Sequence, residues 1–114
     1  MSNPAPAFQH YARDWLVATA TLSLRAQGAI MRLLSYQWSE GPFRDDPTTM
    51  QRILNEPRDG DLWSEVGEWF PVLPERPGYR GNAELEAKRR EDEQYRERQR
   101  KLGVRGARKR WSRQ

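Results

Sequence analysis

Positively charged residues gather at the carboxyl end of this sequence, around one tryptophan. Residues 102–114 carry five Lys or Arg and no acidic residue, whereas residues 1–82 carry a net charge of −2. Arginines neutralise phosphates, and an indole offers a flat surface on which a base can stack. This pattern predicts a nucleic-acid-binding tail; a solvated tail that merely contains a tryptophan is the alternative. The predicted contact residues are Arg105, Arg108, Lys109, Arg110, Trp111 and Arg113.

A second group of candidate residues surrounds the turn dipeptide Pro77-Gly78. The short β-tolerant pieces Val72-Leu73 and Tyr79-Arg80 flank this turn and predict a small two-stranded hairpin. Its side chains could add cationic and aromatic contacts to those of the tail. The candidate nucleic-acid-binding residues of the hairpin are Arg76, Tyr79 and Arg80.

The helix predicted over residues 61–70 is acidic, which argues against the usual way in which small helical domains bind DNA. Acidic side chains repel phosphates, so this helix is poorly suited to the major groove. Three explanations stay open: its acids face away from the DNA, the contacts come from the hairpin and tail, or this surface binds protein. The candidate partner-binding residues are Trp63, Glu65 and Glu68.

Few residues in the chain could perform catalysis. There is no cysteine, the one histidine is His10, and no glycine-rich phosphate loop or nucleophile elbow is visible. The Asp45-Asp46 pair is explained by helix capping. We therefore expect a binding protein and not an enzyme, with no catalytic residues, metal site, cofactor or small-molecule substrate.

The elements that must position these residues are mostly helices. Apolar residues at three- and four-residue steps predict a first helix over residues 24–39, capped by Ser23 and stopped by Gly41-Pro42. Gly28 within it is expected to let another element approach closely. The aromatic-rich residues 8–17 predict a strand or an extended arm packed on the core.

Two further helices complete the predicted core. One begins at Pro47 after a cap by Asp45 or Asp46 and ends at residues 55–57. The acidic helix over residues 61–70 follows, closed by Pro71. The predicted inward-facing residues of these two helices are Met50, Ile53, Leu54, Leu62, Val66, Trp69 and Phe70.

Residues 83–101 predict a charged helix, because acidic and basic residues recur four apart with the acid first. We expect it to dock by its first turns and to end at Gly103 and Gly106, before a loose basic segment. The predicted pairs are Glu84–Lys88, Glu86–Arg90, Asp92–Arg96 and Glu97–Lys101.

Together these elements predict a mainly α fold that is winged helix-turn-helix-like: three helices, a small β-hairpin, a charged helix and a basic tail. The predicted divisions are a flexible N-terminus (1–7), a winged-helix-like domain (8–82), a charged C-terminal helix (83–101) and a basic flexible tail (102–114). Neither a secretion signal nor a stretch of about 20 apolar residues is visible, so we expect a cytoplasmic protein without membrane contact.

Several strings resemble a widespread phage and prophage family of unknown function, DUF1376. Residues 22–38 carry the most specific part of the likeness, and the Asp45-Asp46 cap, the region around Glu84 and the ending at Arg110-Trp111 are similar too. Ile30 departs from the family, which tends to have an aromatic residue there.

The resemblance implies a replication accessory factor related to winged-helix replisome organisers or helicase-loading proteins. It implies nucleic acid, with DNA favoured, and a replicative helicase or another replication protein as partners, and it carries no catalytic residues. The rival hypotheses are a protein–protein interaction adaptor that does not touch nucleic acid, and a winged-helix transcriptional regulator.

Overall fold

The computed structural model of the chain describes residues 10–56 and 60–112, and for residues 110–112 the backbone alone. This part of the chain is mainly helical, with five α-helices and a small two-stranded antiparallel sheet. The predicted helical class is confirmed. The flexible N-terminus predicted for residues 1–7 lies outside the described residues.

Helix α1 (Ala12–Ala18) occupies the region for which a strand or extended arm was predicted. That prediction was wrong because Tyr11 and Trp15 also have the four-residue spacing of one helix face. The Trp15 ring meets Trp69 edge-on with centroids 5.7 Å apart, whereas Leu16 and Val17 point away from the core and are exposed. The helix therefore lies on the surface of the core.

Helix α2 (Leu24–Glu40) forms the centre of the core and matches its prediction closely. The Ser23 hydroxyl accepts a hydrogen bond from the Ala26 amide, and the helix ends at Gly41, which has φ of 94°. The expected role of Gly28 is wrong, because a Cβ atom there would meet nothing within 4 Å. The buried residues of α2 are Ala26, Ala29, Ile30, Leu33, Leu34, Gln37 and Trp38.

Helix α3 (Pro47–Leu54) follows the prediction in its start, cap and buried side. The Asp46 carboxylate accepts from the Thr49 amide at 2.8 Å, and this backbone hydrogen bond is the main reason why the pKa of Asp46 lies below its ordinary value. Asn55 ends the helix in a left-handed conformation.

Helix α4 (Gly60–Val66) is shorter than predicted and passes into a 3₁₀ turn at Gly67–Trp69. The 3₁₀ turn begins at Gly67. The Trp63 indole lies so close to the backbone there that a Cβ atom would be 3.1 Å from Trp63 Nε1. Leu62, Val66 and Phe70 are buried as predicted, and Trp69 packs half-buried against the core.

The sheet pairs β1 (Phe43–Arg44) with β2 (Tyr79–Arg80), with Phe43 opposite Arg80. The predicted hairpin partner is also present, because Val72 forms an antiparallel bridge with Arg80 and the Leu73 amide donates to the Tyr79 carbonyl at 2.9 Å. We name residues 72–80 the hairpin. Strand β1 was missed, since two residues between helices leave no period to detect.

Helix α5 (Ala83–Ser112) is the largest departure from the sequence prediction. It was expected to end at Gly103, with a loose tail over residues 102–114, but the described helix continues through Gly103 and Gly106 to Ser112. Each glycine costs a helix about 1 kcal/mol relative to alanine. The neighbouring Arg, Lys, Leu and Ala residues favour a helix enough to outweigh this. A helix of this length spans about 45 Å.

Candidate nucleic-acid interface

Charge divides helix α5 at Glu97. Residues 83–97 contain four basic and six acidic residues, whereas residues 98–112 contain seven basic residues and no acidic one. We name residues 83–97 the anchored half and residues 98–112 the basic half. The predicted concentration of charge thus begins earlier than residue 102 and lies on a helix.

The anchored half joins the core of the protein. Leu85 is 7% exposed and Glu86 is 2% exposed, although Glu86 is charged. Three of the four predicted pairs are formed, but Glu97 pairs with Arg100 at 2.6 Å and not with the predicted Lys101. The pairs that match the prediction are Glu84–Lys88 at 3.5 Å, Glu86–Arg90 at 3.4 Å and Asp92–Arg96 at 3.9 Å.

A buried polar network sets the start of α5 against α2. Gln37, which has no exposed surface, donates to the Asn82 carbonyl at 3.0 Å and to Glu86 at 3.2 Å, while its oxygen accepts from the Asn82 amide at 2.8 Å. Arg89 donates to both oxygens of Glu86, at 2.8 and 3.1 Å. These side-chain contacts of Gln37 tie α2 to the entry of α5.

The ionisation of Glu86 follows from this network. Burial disfavours the charged carboxylate, but hydrogen bonds from Arg89 and Gln37 outweigh that penalty and hold the pKa of Glu86 below its ordinary value. The carboxylate is therefore ionised at neutral pH, and its charge is neutralised by partners within the protein.

The basic half presents most of its cations on one face. Three- and four-residue steps place five of them within an arc of roughly 100° on a helix of 3.6 residues per turn. All five side chains are exposed. We name this set the basic stripe: Arg98, Lys101, Arg105, Arg108 and Lys109.

The hairpin lies on the same side of α5 as the basic stripe. Glu75 in the hairpin accepts from Arg90 at 3.4 Å. Arg90 and Arg108 are separated by about five full helical turns, so they share one side of the helix. The hairpin and the stripe can therefore meet one extended ligand.

Two of the three predicted hairpin residues lie at its surface. The Arg76 guanidinium is exposed and stacks over the Tyr79 ring, 3.8 Å from its centroid. This cation–π contact fixes the direction of the guanidinium and covers one face of the phenol ring.

Arg80 points toward the body of the protein, the name used here for the described residues before α5 (10–56 and 60–82). Its Nη1 donates to the Phe70 carbonyl at 3.0 Å, and its buried Nε lies 2.8 Å from an Asp45 carboxylate oxygen, without the alignment of a good hydrogen bond. Because its charge is largely neutralised within the fold, we assign Arg80 a structural role in the sheet.

The predicted partner-binding residues on α4 are also engaged within the fold. The Trp63 ring is half-buried between Gly67 and the Arg80 guanidinium, which lies 5.2 Å from the ring centroid. Glu65 accepts from the Ser23 amide at 2.9 Å and from its hydroxyl at 3.2 Å, so it helps to cap α2. Glu68 is exposed on the 3₁₀ turn.

The side chains of three predicted contact residues are not among those that the structure describes. Arg110 and Trp111 belong to the last turns of α5, where the backbone alone is described, and Arg113 lies outside the described residues. In contrast, sequence reasoning missed Arg98 and Lys101, which it assigned to an ion-paired helix. Their three- and four-residue spacing with Arg105 and Arg108 was the available signal.

Other kinds of site find little support in the described part of the chain. No group of three or more potential metal ligands occurs there, and each helix there is too short or too polar to traverse a bilayer. A groove of about 500 Å³ between α2 and α3 is lined by Arg32, Tyr36 and Arg52 among others.

Comparisons with protein-family models, with curated proteins and with solved structures gave no match. The resemblance to the phage and prophage family thus remains a prediction from sequence.

Proposed function

We propose that this protein binds nucleic acid through the basic half of α5 and the hairpin, as an accessory factor of phage or prophage replication. The observation that carries the binding proposal is the run of seven cations without an acid on the part of α5 beyond the body. Lys and Arg side chains in such a row neutralise phosphates, and the release of the counterions of the polyanion favours binding.

The order of elements supports a winged-helix interpretation. Helix α2, strand β1, helices α3 and α4 and the hairpin follow one another, and β2 lies between β1 and the bridge at Val72. In this interpretation the hairpin is the wing and α4 is the helix that would enter DNA. However, α4 has only seven residues, and its Glu65 caps α2. We therefore place the nucleic-acid contacts on α5 and the wing.

The replication role rests on the sequence resemblance together with this winged-helix interpretation. A replisome organiser or helicase loader must hold DNA while it presents a second surface to a replication protein. In this chain the body would supply that second surface. Co-sedimentation of the protein with the host replicative helicase, after nuclease treatment, tests this part of the proposal.

The binding proposal is tested by charge reversal in the full-length chain. R105E/R108E changes two stripe residues, and R13E/R52E makes the same change of net charge at exposed positions on α1 and α3. We expect the first variant to lose most binding to a labelled oligonucleotide and to flatten the log-affinity against log-salt slope by about 2, because each lost phosphate contact is worth about 0.9.

The control variant R13E/R52E should keep most of the affinity and the slope of the original protein. Equal losses in the two variants would contradict the assignment to α5. Absence of binding by the unaltered protein, even at low salt, would contradict the binding proposal itself.

A second candidate function is a protein-interaction adaptor. Leu16 and Val17 on α1 and Leu24 at the start of α2 are 68%, 73% and 85% exposed, so they offer apolar surface to a partner protein. An adaptor would keep its partner after nuclease treatment and lose it in L16S/V17S. The R105E/R108E variant would leave that partner bound.

A further inference from the structure

We infer that the target of the basic half is duplex DNA, whose major groove receives α5 with the basic stripe turned toward the DNA. This inference rests on the proposed function and specifies the class of nucleic acid. It follows from the continuity of the helix, the arrangement of its cations and the engagement of the aromatic rings elsewhere in the protein.

The shape of the basic half fits a B-form major groove. A continuous helix with its side chains is about 10–12 Å across, and that groove is about 12 Å wide. The basic half extends from the body as a regular helix to Ser112, over about 21 Å. The major groove of A-form RNA is deep and narrow and does not admit such a helix.

The aromatic residues argue against a single-stranded target. Single strands are held mainly by bases that stack on aromatic rings. The basic half contains a single aromatic residue, Trp111, and one ring can stack on one base but cannot hold successive bases along a strand. In the hairpin, the Tyr79 ring is covered on one face by Arg76.

The tryptophans of the described body are engaged as well. Trp63 lies against Gly67, and Trp15 lies 5.7 Å from Trp69 and 5.6 Å from His10, measured between ring centroids. Trp15, Trp63 and Trp69 are thus engaged within the fold and are poorly placed to stack on successive bases.

The distribution of acidic residues along α5 indicates which of its cations face the DNA. Arg96 and Arg100 lie outside the stripe and are paired with Asp92 and Glu97, at 3.9 and 2.6 Å. The stripe follows the last acidic residue of the chain. Its cations therefore meet phosphates, while the acid-paired arginines stabilise the helix.

The hairpin extends this surface toward the body. Its contact with Arg90 lies about 12 Å along α5 from Arg98, on the same side as the stripe. From this position the fixed Arg76 guanidinium can reach the phosphate backbone beside the groove. Cations at the edges of the stripe reach the phosphates that flank the groove and those at its centre face base edges, so we expect a modest sequence preference added to a dominant phosphate contribution.

The test compares labelled duplex DNA, single-stranded DNA and duplex RNA of about 20 nucleotides in fluorescence anisotropy at two salt concentrations. We expect the full-length protein to bind duplex DNA about tenfold or more tightly than either alternative at about 200 mM salt. Methyl green, which occupies the major groove, should displace the protein, whereas netropsin in the minor groove should not.

Two variants with the same change of net charge provide the matched control. R98Q/R105Q removes two stripe cations, and R96Q/R100Q removes two acid-paired cations from the same helix. The first should flatten the salt slope for duplex DNA by about 1.8 and the second by less than half of that.

Each other outcome has a distinct meaning. Equal or tighter binding of single strands or duplex RNA, displacement by netropsin alone, or equal effects of the two variants would overturn the duplex inference while the proposed function stands. Failure to bind any of the three nucleic acids would overturn both.

Discussion

The two halves of α5 are both rich in arginine, yet their charges are balanced in different ways. In the anchored half, Glu86 is 2% exposed and its charge is matched by Arg89 and Arg90. In the basic half, the cations follow one another without an acid. Charges that are paired inside a protein fix its conformation, whereas an excess of charge of one sign is suited to an external polyanion.

This comparison separates stability from binding within a single helix. Substitutions in the anchored half should change the free energy of unfolding, and substitutions in the basic half should change the affinity for a ligand. The predictions below test that separation, from the largest expected effect on stability to the smallest.

The largest effect is expected for E86A. Removing this carboxylate takes one acceptor from the buried Gln37 amide and both of the Glu86 oxygens from Arg89, which should lower the free energy of unfolding by about 3 kcal/mol. Urea unfolding measures the loss. The matched control is E93A, since Glu93 is exposed and pairs with the same arginine; it should cost less than about 1 kcal/mol. Equal losses would contradict the anchoring role of Glu86.

A second prediction concerns pH. Because the pKa of Glu86 lies below its ordinary value of 4.5 in the folded protein, its ionisation stabilises the fold above pH 4.5, and this stabilisation is lost as the pH falls through the folded-state pKa. The stability difference between the original protein and E86Q should thus be largest at neutral pH and should close in acid.

The matched control for this pH dependence is E84Q, on an exposed residue that pairs with Lys88 at the surface. Asp46, whose pKa is also lowered, contributes in the same direction in every variant. A difference between the original protein and E86Q that stays constant from neutral to acidic pH would remove Glu86 from the explanation.

The smallest effect on overall stability is expected for G103A/G106A in the basic half. A Cβ atom at either position meets nothing within 4 Å, so alanine should stabilise the helix by up to about 1 kcal/mol per site. The helix content should rise, while the unfolding midpoint of the body should not change. Far-UV circular dichroism and thermal unfolding measure the two quantities. G81A should instead destabilise the body, because its Cβ atom would lie 3.0 Å from Gln37 Nε2.

The sequence predicted those elements whose signals are local. The Ser23 and Asp46 caps, the apolar side of α3 and most of the ion pairs of α5 depend on residues three or four positions apart, so they can be recognised without tertiary information. The mainly helical class followed from them.

The remaining features depend on contacts between distant residues. Three of them involve residues that are far apart in the sequence. They are the pairing of β1 with β2, the capping of α2 by Glu65 and the hydrogen bond from Arg80 to the Phe70 carbonyl. The end of α5 was misplaced for a different reason. Gly103 and Gly106 suggested a helix stop, but the described chain continues past both as a helix.

The buried side-chain amide of Gln37 influences where the far end of α5 lies. Its hydrogen bonds to Asn82 and Glu86 define the angle at which α5 leaves the body. From Glu86 to Ser112 the helix runs about 39 Å, so a tilt of about 10° at this joint would carry the far end through about 7 Å. That distance exceeds the spacing of about 3.4 Å per nucleotide along one DNA strand, so in the proposed complex a change in the packing of Gln37 would move the cations from one phosphate to the next.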